Sequence, residues 1–490
     1  MSKFIDNTNK MIVGEGLAYD LDCYKTRRNN NMVVIGGAGT GKTRGIVEPN
    51  LLQATGSYVV SDPKGNLYRK YKMYLQKKGY KVMKLDFAHP EESIKYNMFK
   101  GTIDPLSLKR SNANVTKLAD TIVSLQHEGT RTLDPFWDEC ATLLLTSVIA
   151  LIRDYYDDRY LNFSNVEVII NGMDIDENNA DEETPIDVMF QNVEKIDPDS
   201  FALQKFKSFR VAAGRTLRSI QITLNALINA YADEYIDDIM SGHDLDIPSI
   251  GKEKTALFIC PSDTERTYDG LVNVVFTQIM NGLVNYADSC EDSRLPVPVR
   301  FIMDDFATNV RISEFPRMIS SVRSRGISTT ILIQAESQLE QYYKSDARTI
   351  LGNCDTYVYM GGGDIETAKS VAERANKTMH TIYEMPIGYE WVFRRGDKPV
   401  YTKIIDLDEL MKSEKIVLKY GKKAKPVPDF PYQKYDLASY FDDDDDESEI
   451  THNDEVIDMT QDTQEEEQHE ELTDEELMQK LEEMVSKEED

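Results

Sequence analysis

Seven short apolar runs recur along the chain, and most of them show no alternation between apolar and polar positions. This pattern is typical of strands that are covered on both faces. Helical spacing lies between several of the runs, so their order predicts an α/β fold with an open, mostly parallel sheet. A further stretch, residues 390–404, predicts a hairpin that turns at Gly396-Asp397. The seven runs are "MVVI" (32–35), "SYVVSD" (57–62), "YKVMKLDF" (80–87), "TALFICP" (255–261), "VRFIMDD" (299–305), "STTILIQ" (328–334) and "TYVYM" (356–360).

The alternation of strands and helices is interrupted between about residues 94 and 200. "VTKLADTIVSL" and "FWDECATLLLTSVIALIRDYY" have helical spacing there, and no strong strand intervenes. We therefore predict four segments. The α/β domain comprises residues 1–93 and 201–440, an all-helical domain is inserted at 94–200, and a tail occupies 441–490.

The tail carries most of the negative charge. The chain of 490 residues has a formal net charge of −29, and residues 442–490 hold 24 Asp and Glu against two Lys. Such a segment is predicted to be mostly disordered, apart from a short amphipathic helix that begins with a capping box, Thr473 to Glu476. Because the acidity is so localised, it does not exclude nucleic-acid binding by the rest of the chain.

The clearest chemical motif is "GGAGTGKT", which fits G-x-x-x-x-G-K-[ST]. It follows a predicted strand and precedes a predicted helix, the context in which this motif binds phosphates. Its backbone N–H groups would surround the phosphates of ATP, Lys42 would reach the β- and γ-phosphates, and the Thr43 hydroxyl would bind Mg²⁺. The predicted nucleotide-binding residues are Gly36, Gly37, Ala38, Gly39, Thr40, Gly41, Lys42 and Thr43.

Other candidate site residues follow the later strands. Asp304 and Asp305 end "FIMDD", where a P-loop enzyme places one carboxylate for Mg²⁺ and a second group that orients water; solvated strand-end carboxylates are the alternative. Gln334 ends the next strand and could sense the γ-phosphate or cap the sheet edge. Arg323 and Arg325 lie between the two, where an arginine could reach a neighbouring subunit's ATP or remain an ordinary surface residue.

Several remaining features bear on partners and location. Basic stretches interleaved with aromatic residues, such as "YRKYKMYLQKKGYK" (68–81), are typical of phosphate-tracking surfaces or of solvated helix faces. The five scattered cysteines favour a reducing cytoplasm. The longest apolar stretch, near 140–152, is too short to span a bilayer and predicts a buried helix.

Taken in order, these motifs make the chain resemble the type IV secretion system coupling proteins, the TraG/TraD-type conjugal-transfer ATPases. The resemblance covers most of residues 20–436. Its segments are "KTRRNNNMVVIGGAGTGKTR", "YVVSDPKGNL", "DPFWDECATLLL" (134–145), "AAGRTLRSI" (212–220), "IMDDFATN", "ILIQAESQLEQYY" (331–343), "MGGGDIETAK" (360–369) and "KPVPDFPYQKYDL" (425–437).

The resemblance implies a RecA-like, DNA- or protein-translocating ATPase that forms hexamers and uses ATP and Mg²⁺. By motif position, Lys42, Asp305, Gln334 and Arg323 have the catalytic roles, and Thr43 and Asp304 hold the metal. The implied partners are a relaxase with its transferred DNA and the components of the secretion channel. "AAGRTLRSI" would mark the return of the nucleotide-binding domain.

Two features depart from the family pattern. Asp305 stands where Glu is usual, and no counterpart of the usual N-terminal pair of transmembrane helices is found. We therefore expect a cytoplasmic protein, peripheral at the inner face of the membrane, with a separate membrane-anchor subunit as one possibility. Two alternatives remain at this stage: a general double-stranded DNA translocase, and a non-hydrolysing, ATP-gated adaptor that docks substrates.

Overall fold

The computed structural model describes residues 9–102, 111–124, 136–173, 183–211, 214–261, 267–307, 310–312 and 314–420. The strands are β1 (Lys10–Gly14), β2 (Leu17–Asp20), β3 (Met32–Ile35), β4 (Ser57–Ser61), β5 (Lys81–Asp86), β6 (Thr255–Cys260), β7 (Val299–Met303), β8 (Ile327–Ile333), β9 (Thr356–Tyr359), β10 (Tyr389–Arg394) and β11 (Val400–Lys403). The α-helices are α1 (Cys23–Thr26), α2 (Glu48–Gln53), α3 (Asn66–Lys77), α4 (Asn112–Ser124), α5 (Phe136–Tyr155), α6 (Phe163–Asn171), α7 (Pro185–Ile196), α8 (Phe201–Arg210), α9 (Gly214–Asn229), α10 (Glu234–Met240), α11 (Ile247–Lys252), α12 (Asp269–Ser289), α13 (Phe315–Ser321), α14 (Glu336–Tyr343), α15 (Ala347–Gly352), α16 (Ile365–Ala375), α17 (Met379–Tyr383) and α18 (Leu407–Ser413).

Nine strands form one sheet in the order β11-β10-β9-β3-β8-β7-β4-β6-β5. The seven strands from β9 to β5 are parallel to one another, and β10 and β11 add an antiparallel edge. The predicted α/β class, the mostly parallel sheet and the hairpin around Gly396-Asp397 are therefore confirmed.

Two hydrophobic cores cover the two faces of this sheet. In β3, Val33 and Ile35 belong to the core that includes the inserted helices, whereas Met32 and Val34 belong to the core on the opposite face, with α2, α3 and α18. Because successive side chains of a strand point to opposite faces, both faces need apolar residues. This requirement explains why the strand sequences lack polar alternation.

The long helical segment is an insertion between two neighbouring strands. β5 and β6 pair in parallel from Lys81↔Thr255 to Asp86↔Cys260, and the helices α4 to α11 lie between them in the sequence. The whole segment therefore replaces a single crossover connection. Its buried apolar residues are continuous with the core on one face of the sheet.

The helical segment extends beyond the edge that we predicted at residue 200. Helices continue to Lys252, and the first strand after them begins at Thr255. The "AAGRTLRSI" segment contributes to α9, whose Leu217, Ile220 and Leu224 are buried at helical spacing. The first strand after the helices coincides with the predicted apolar run "TALFICP" (255–261). The division into domains, with its edge at residue 200, stays a prediction.

The sequence analysis did not predict the N-terminal hairpin of β1 and β2. Its strands pair antiparallel around Gly16, and Met11, Ile12 and Val13 are buried in the core that also contains α2 and α3. The segment 441–490, including the predicted helix that begins near Thr473, lies outside the described residues.

Candidate nucleotide-binding site

Three neighbouring strands bring the predicted site residues together. The P-loop follows β3 directly. β8 lies beside β3 and is followed by Gln334, and β7 lies beside β8 and is followed by Asp304. The carboxyl ends of parallel strands meet at one edge of a sheet, which is the usual ligand position in such folds. The site is therefore built by the sheet order and not by proximity in the sequence.

The P-loop turns sharply at two glycines. Gly39 and Gly41 have φ angles of +76° and +94°, which side-chain-bearing residues rarely adopt. The N–H groups of Gly36 and Gly37 donate to the carbonyls of Ile333 and Gly361, which fixes the start of the loop to its neighbours. Within the described residues, the N–H groups of Ala38, Gly39 and Gly41 have no hydrogen-bond acceptor. These donors are available to a phosphate.

Lys42 is held inside the loop. Its ammonium donates to the carbonyl oxygens of Gly36 at 2.6 Å and Gly37 at 3.2 Å. Burial lowers the pKa of this ammonium, and the nearby carboxylates of Asp304 and Asp305 oppose that effect. The lysine is therefore a buried cation that lies close to two acids.

Thr43 and Asp304 connect the P-loop to β7. The Thr43 hydroxyl donates to Asp304 Oδ2 at 2.7 Å, although 261 positions separate the two residues in the sequence. Burial raises the pKa of Asp304 above its ordinary value, while the hydrogen bond from Thr43 lowers it. Both groups are hard oxygen ligands, and Mg²⁺ is commonly held by one or two such protein groups together with phosphates and waters. Thr43 and Asp304 thus fit the expected metal.

Asp305 has an unusual backbone conformation. Its φ angle is +49°, in the left-handed region, and its N–H donates to Asp304 Oδ1 at 3.1 Å. Asp and Asn tolerate this region better than most residues with longer side chains. The conformation gives a physical reason for Asp at this position, and the half-buried carboxylate lies next to the Thr43–Asp304 pair.

Gln334 is exposed at the end of β8, between the P-loop and Asp304. Its backbone N–H donates to Gln338 Oε1 at 2.8 Å. The structure thus places the glutamine at the same edge as the other site residues. Its side chain has no hydrogen-bond partner within the described part of the chain.

Arg323 lies at the other end of the sheet. It belongs to a short 3₁₀ turn, Arg323–Arg325, that precedes β8, whereas the P-loop follows β3. β8 has seven residues, so its ends are about 20 Å apart at roughly 3.3 Å per residue. Arg323 therefore cannot reach the P-loop of its own chain. It is exposed and donates to the Cys23 carbonyl at 3.1 Å.

Arg325 differs from Arg323 in its partners. Its guanidinium binds the Asp288 carboxylate through two hydrogen bonds of 2.7 and 2.9 Å, and it also donates to the Ser321 carbonyl. These bonds fix Arg325 to α12. Of the two candidates, Arg323 is therefore the one whose guanidinium is free of a carboxylate partner among the described residues.

The sequence analysis assigned no site role to the glycines that follow β9. The carbonyl of Gly361 accepts from the Gly37 N–H at 2.9 Å, and a Cβ at Gly362 would lie 3.4 Å from the Gly37 nitrogen. These glycines allow the loop after β9 to contact the P-loop backbone. A run of three glycines directly after a predicted strand, "MGGGD", was the available signal.

The described residues contain neither a ready-made cluster of metal ligands nor a membrane-spanning helix. No group of three or more His, Cys, Asp or Glu side chains in them could hold a metal ion, so a metal at Thr43 and Asp304 would need further ligands from phosphate and water. None of the helices in the described ranges is long and apolar enough to cross a membrane.

Known proteins resemble this chain in sequence. Residues 2–381 match the family described as "Type IV secretory system Conjugative DNA transfer". The VirD4 coupling protein of Bartonella henselae is 22% identical over 383 residues, which are 75% of this chain and 56% of that protein. Protein VirD4 of Rhizobium radiobacter is 22% identical over 405 residues, which are 76% of this chain and 53% of that protein. The chain therefore spans a little over half the length of these relatives.

Solved structures of the conjugative coupling protein TrwB have the same fold. The complex with the ATP analogue ADPNP aligns with a TM-score of 0.59 and 15% identity, covering 81% of this chain and 89% of that one. The complex with ADP and Mg²⁺ aligns with a TM-score of 0.57 and 14% identity over the same shares. The family match covers most of the sequence. Thr43 of the P-loop forms a hydrogen bond with Asp304, directly after β7. This chain belongs to the type IV secretory system conjugative DNA transfer family, and it has the fold of the type IV coupling proteins.

Proposed function

We propose that this protein hydrolyses ATP to recruit a relaxase–DNA complex, or an effector protein, to a type IV secretion channel and to drive its translocation. The observation that carries this proposal is the 2.7 Å hydrogen bond between Thr43 and Asp304, which joins the P-loop to the acidic end of β7. Membership of the conjugative DNA transfer family supports the substrate class.

Each site residue has a role in this proposal. The available N–H groups of the P-loop and the Lys42 ammonium bind the phosphates, and Thr43 and Asp304 hold Mg²⁺, which would neutralise phosphate charge. Asp305 orients and deprotonates the attacking water, since its carboxylate lies next to the metal-binding pair. Gln334 senses the γ-phosphate from the neighbouring strand. TrwB, a structural neighbour, is known in complex with ADP and Mg²⁺.

The position of Arg323 favours an oligomer. An arginine at the amino end of the sheet can contact ATP only if a second copy presents its P-loop to that end. Such a contact is head-to-tail, and repeated head-to-tail contacts close into a ring when the rotation allows it. We propose a homo-hexamer in which Arg323 supplies the finger that stabilises transition-state charge in the neighbouring copy.

The inserted helices are the proposed docking region for cargo. They lie outside the strands that form the nucleotide site, and the first turn of α5 contains Trp137, a residue that remains 38% exposed. Partly exposed aromatic residues are common anchors in protein interfaces. We propose docking at the inner face of the membrane through channel components or a separate anchor subunit, in line with the family's role.

One experiment tests the function as a whole. Steady-state ATPase activity of the purified protein should increase when DNA and relaxase are added. A donor-cell pull-down should recover the relaxase with the wild type and lose most of it with Trp137→Ala. Thr142→Ala is a matched control on the same helix, at a half-buried position more than one turn after Trp137.

Two results would contradict the proposal in different ways. No turnover with DNA and partners present would favour the ATP-gated adaptor. DNA-stimulated turnover without any relaxase in the pull-down would instead favour a general DNA translocase.

A further inference from the structure

A small pocket at the amino end of the sheet has an unusual lining. It lies at the starts of β7 and β8 and just before β4, and three arginines line it, Arg294, Arg300 and Arg323. Its other lining residues include Asn30 and Thr55, and no Asp or Glu is among those that the structure describes. Three cations therefore border one cavity without a counter-charge in its wall.

Arg300 is the most constrained of the three. Only 4% of its surface is exposed, and it lies in the central strand β7. Its Nη1 donates to Asn50 Oδ1 at 3.0 Å, but its buried Nε has no hydrogen-bond partner within the described residues. A buried charge without a paired anion is costly, and an unsatisfied buried donor adds to that cost.

Protonation state does not relieve this cost. Burial lowers the pKa of Arg300 from its ordinary value, and the titratable side chains that oppose this shift are the phenols of Tyr58 and Tyr80, not carboxylates. The hydroxyls of both tyrosines donate to backbone carbonyls and so are already engaged. An arginine is too basic to lose its proton in a folded protein. Arg300 is therefore a buried cation with no anion paired to it among the described residues.

The other two arginines retain donors that could bind the same anion. The Arg294 Cζ lies 5.0 Å from the Tyr24 ring centre, a cation–π contact that is not a hydrogen bond. Arg323 uses one Nη2 bond, to the Cys23 carbonyl. Neither residue has a carboxylate partner in the described part of the chain.

The size of the pocket restricts the ligand. Its volume is about 80 Å³, several times what one water needs but well below the roughly 300 Å³ at which pockets for drug-sized ligands begin. A group with a few oxygen atoms fits, whereas a nucleoside does not. Arginine forks match the oxygen geometry of phosphate and carboxylate, and phosphate offers more acceptors to the three arginines that line the pocket.

We propose that Arg294, Arg300 and Arg323 form a binding site for a phosphoryl oxyanion, separate from the P-loop and at the opposite end of the sheet. The ligand is inorganic phosphate or the terminal phosphoryl group of a larger molecule. The site shares Arg323 with the proposed finger role, but its argument uses no residue of the P-loop, so phosphate binding can be tested in a protein without ATPase activity.

The test uses the full chain with the P-loop disabled by Lys42→Ala and Thr43→Ala. Isothermal titration with sodium phosphate, at constant ionic strength, should show one phosphate per chain. Adding Arg294→Gln and Arg323→Gln should weaken binding at least tenfold for each charge-assisted contact removed. Arg325→Gln is the matched control and should leave the affinity unchanged, since Arg325 is bound to Asp288 outside the pocket.

Failure would be clear in either of two results. No phosphate binding in the P-loop-disabled protein, or equal affinity with and without Arg294 and Arg323, would overturn the proposal. Circular dichroism and thermal unfolding verify the fold of each variant. If the double replacement unfolds the chain, the phosphate titration is done with Arg323→Gln alone. That side chain is exposed, so its replacement should leave the fold intact.

A second arm identifies the source of the phosphoryl group. If it belongs to ATP in a neighbouring copy, Arg294→Gln should weaken self-association that depends on a non-hydrolysable ATP analogue. If it is free phosphate, Arg294→Gln should weaken phosphate binding and leave self-association unchanged. Both results support the site, whereas an unchanged phosphate affinity would contradict it whatever the effect on self-association.

Discussion

Strand β7 has a charged side chain at each end, and the two ends satisfy their charges differently. Asp304, just after the strand, accepts hydrogen bonds from Thr43 and from the Asp305 N–H. Arg300, near the start, has one amide partner and a buried Nε without any. The acidic end is satisfied by groups of its own chain, whereas the basic end is where we propose that a phosphoryl group binds. The charged group at one end of β7 has its hydrogen-bond partners within the chain, and the charged group at the other end lacks one.

Lys42→Ala removes the P-loop cation that lies near the acidic end of β7. We expect no measurable ATP turnover, because the cation that contacts the phosphates is lost while the strand order is untouched. ATPase assays beside circular dichroism would verify this. Lys72→Ala is the control, since this lysine lies over the Tyr68 ring on α3, away from the P-loop. Wild-type turnover in a folded Lys42→Ala variant would contradict the assignment.

The basic end is tested by Arg323→Gln, for which we expect a loss of about 10³-fold in turnover, the lower range for an arginine finger. Because this arginine would act on a second copy, mixing Arg323→Gln with Lys42→Ala protein should restore part of the activity. Arg325→Gln is the control. Activity that stays at zero at every mixing ratio would exclude action between copies.

At the acidic end, replacements of Asp305 separate its role as a base from its role in the backbone turn. Asp305→Asn keeps a side chain that tolerates a φ of +49° but removes the base, so turnover should fall about 100-fold or more while nucleotide binding remains. Asp305→Glu should remain active but unfold more readily, by about 1 kcal/mol, because Glu is less suited to the left-handed region. Nucleotide titration and thermal unfolding separate the two effects. Full turnover of Asp305→Asn would assign the base elsewhere.

A buried carboxyl group in β10 gives the most specific test, because its effect appears only as a dependence of stability on pH. Glu390 in β10 has two carboxyl oxygens without hydrogen-bond partners in the described residues, and burial raises its pKa from 4.5 to about 9. The folded state thus retains a proton that the unfolded state releases above pH 4.5. Stability should fall as pH rises from about 4.5 to about 9, by roughly 1.4 kcal/mol per pH unit at most.

Glu390→Gln should remove this slope, because an amide does not titrate. Thermal unfolding at pH 5, 7 and 9 would measure the difference between variant and wild type, which should grow with pH. Glu366→Gln is the control, since that carboxylate is exposed on α16 and pairs with Lys369. Parallel pH profiles for wild type and Glu390→Gln would show that Glu390 is not protonated in the folded protein.

The sequence was most informative where burial on both faces dictated composition. β3, β4 and β6 are apolar throughout or nearly so, and the P-loop glycines need their φ angles for steric reasons, so both could be predicted from local pattern. The predicted edge at residue 200 was less secure, because α8 and α9 are amphipathic helices of the kind that also flank parallel strands. The pairing of β5 with β6 shows where the sheet resumes, and the edge at residue 200 stays a prediction.

Long-range contacts account for what could not be predicted. Arg323 and Arg325 are two positions apart, and Asp288, which distinguishes them, lies on another element. The N-terminal hairpin was missed because β2 has only four residues, half-exposed for the most part. Arg300 looked like an ordinary polar residue in "VRFIMDD", since nothing local indicates that its neighbours lack a carboxylate. The comparison between the ends of β7 therefore needed the structure.

The crossover between β5 and β6 has a consequence for protein engineering. β5 ends at the carboxyl edge of the sheet and β6 begins at the amino edge, so the chain must travel the full strand length between them. A parallel crossover needs a connection of a dozen or more residues, usually with a helix. A direct fusion of Asp86 to Thr255 would therefore destroy the sheet, whereas a short designed helix could carry the chain across. Exchanging the helical insertion between relatives, with its contacts to the sheet retained, would test whether it determines the cargo, as we propose.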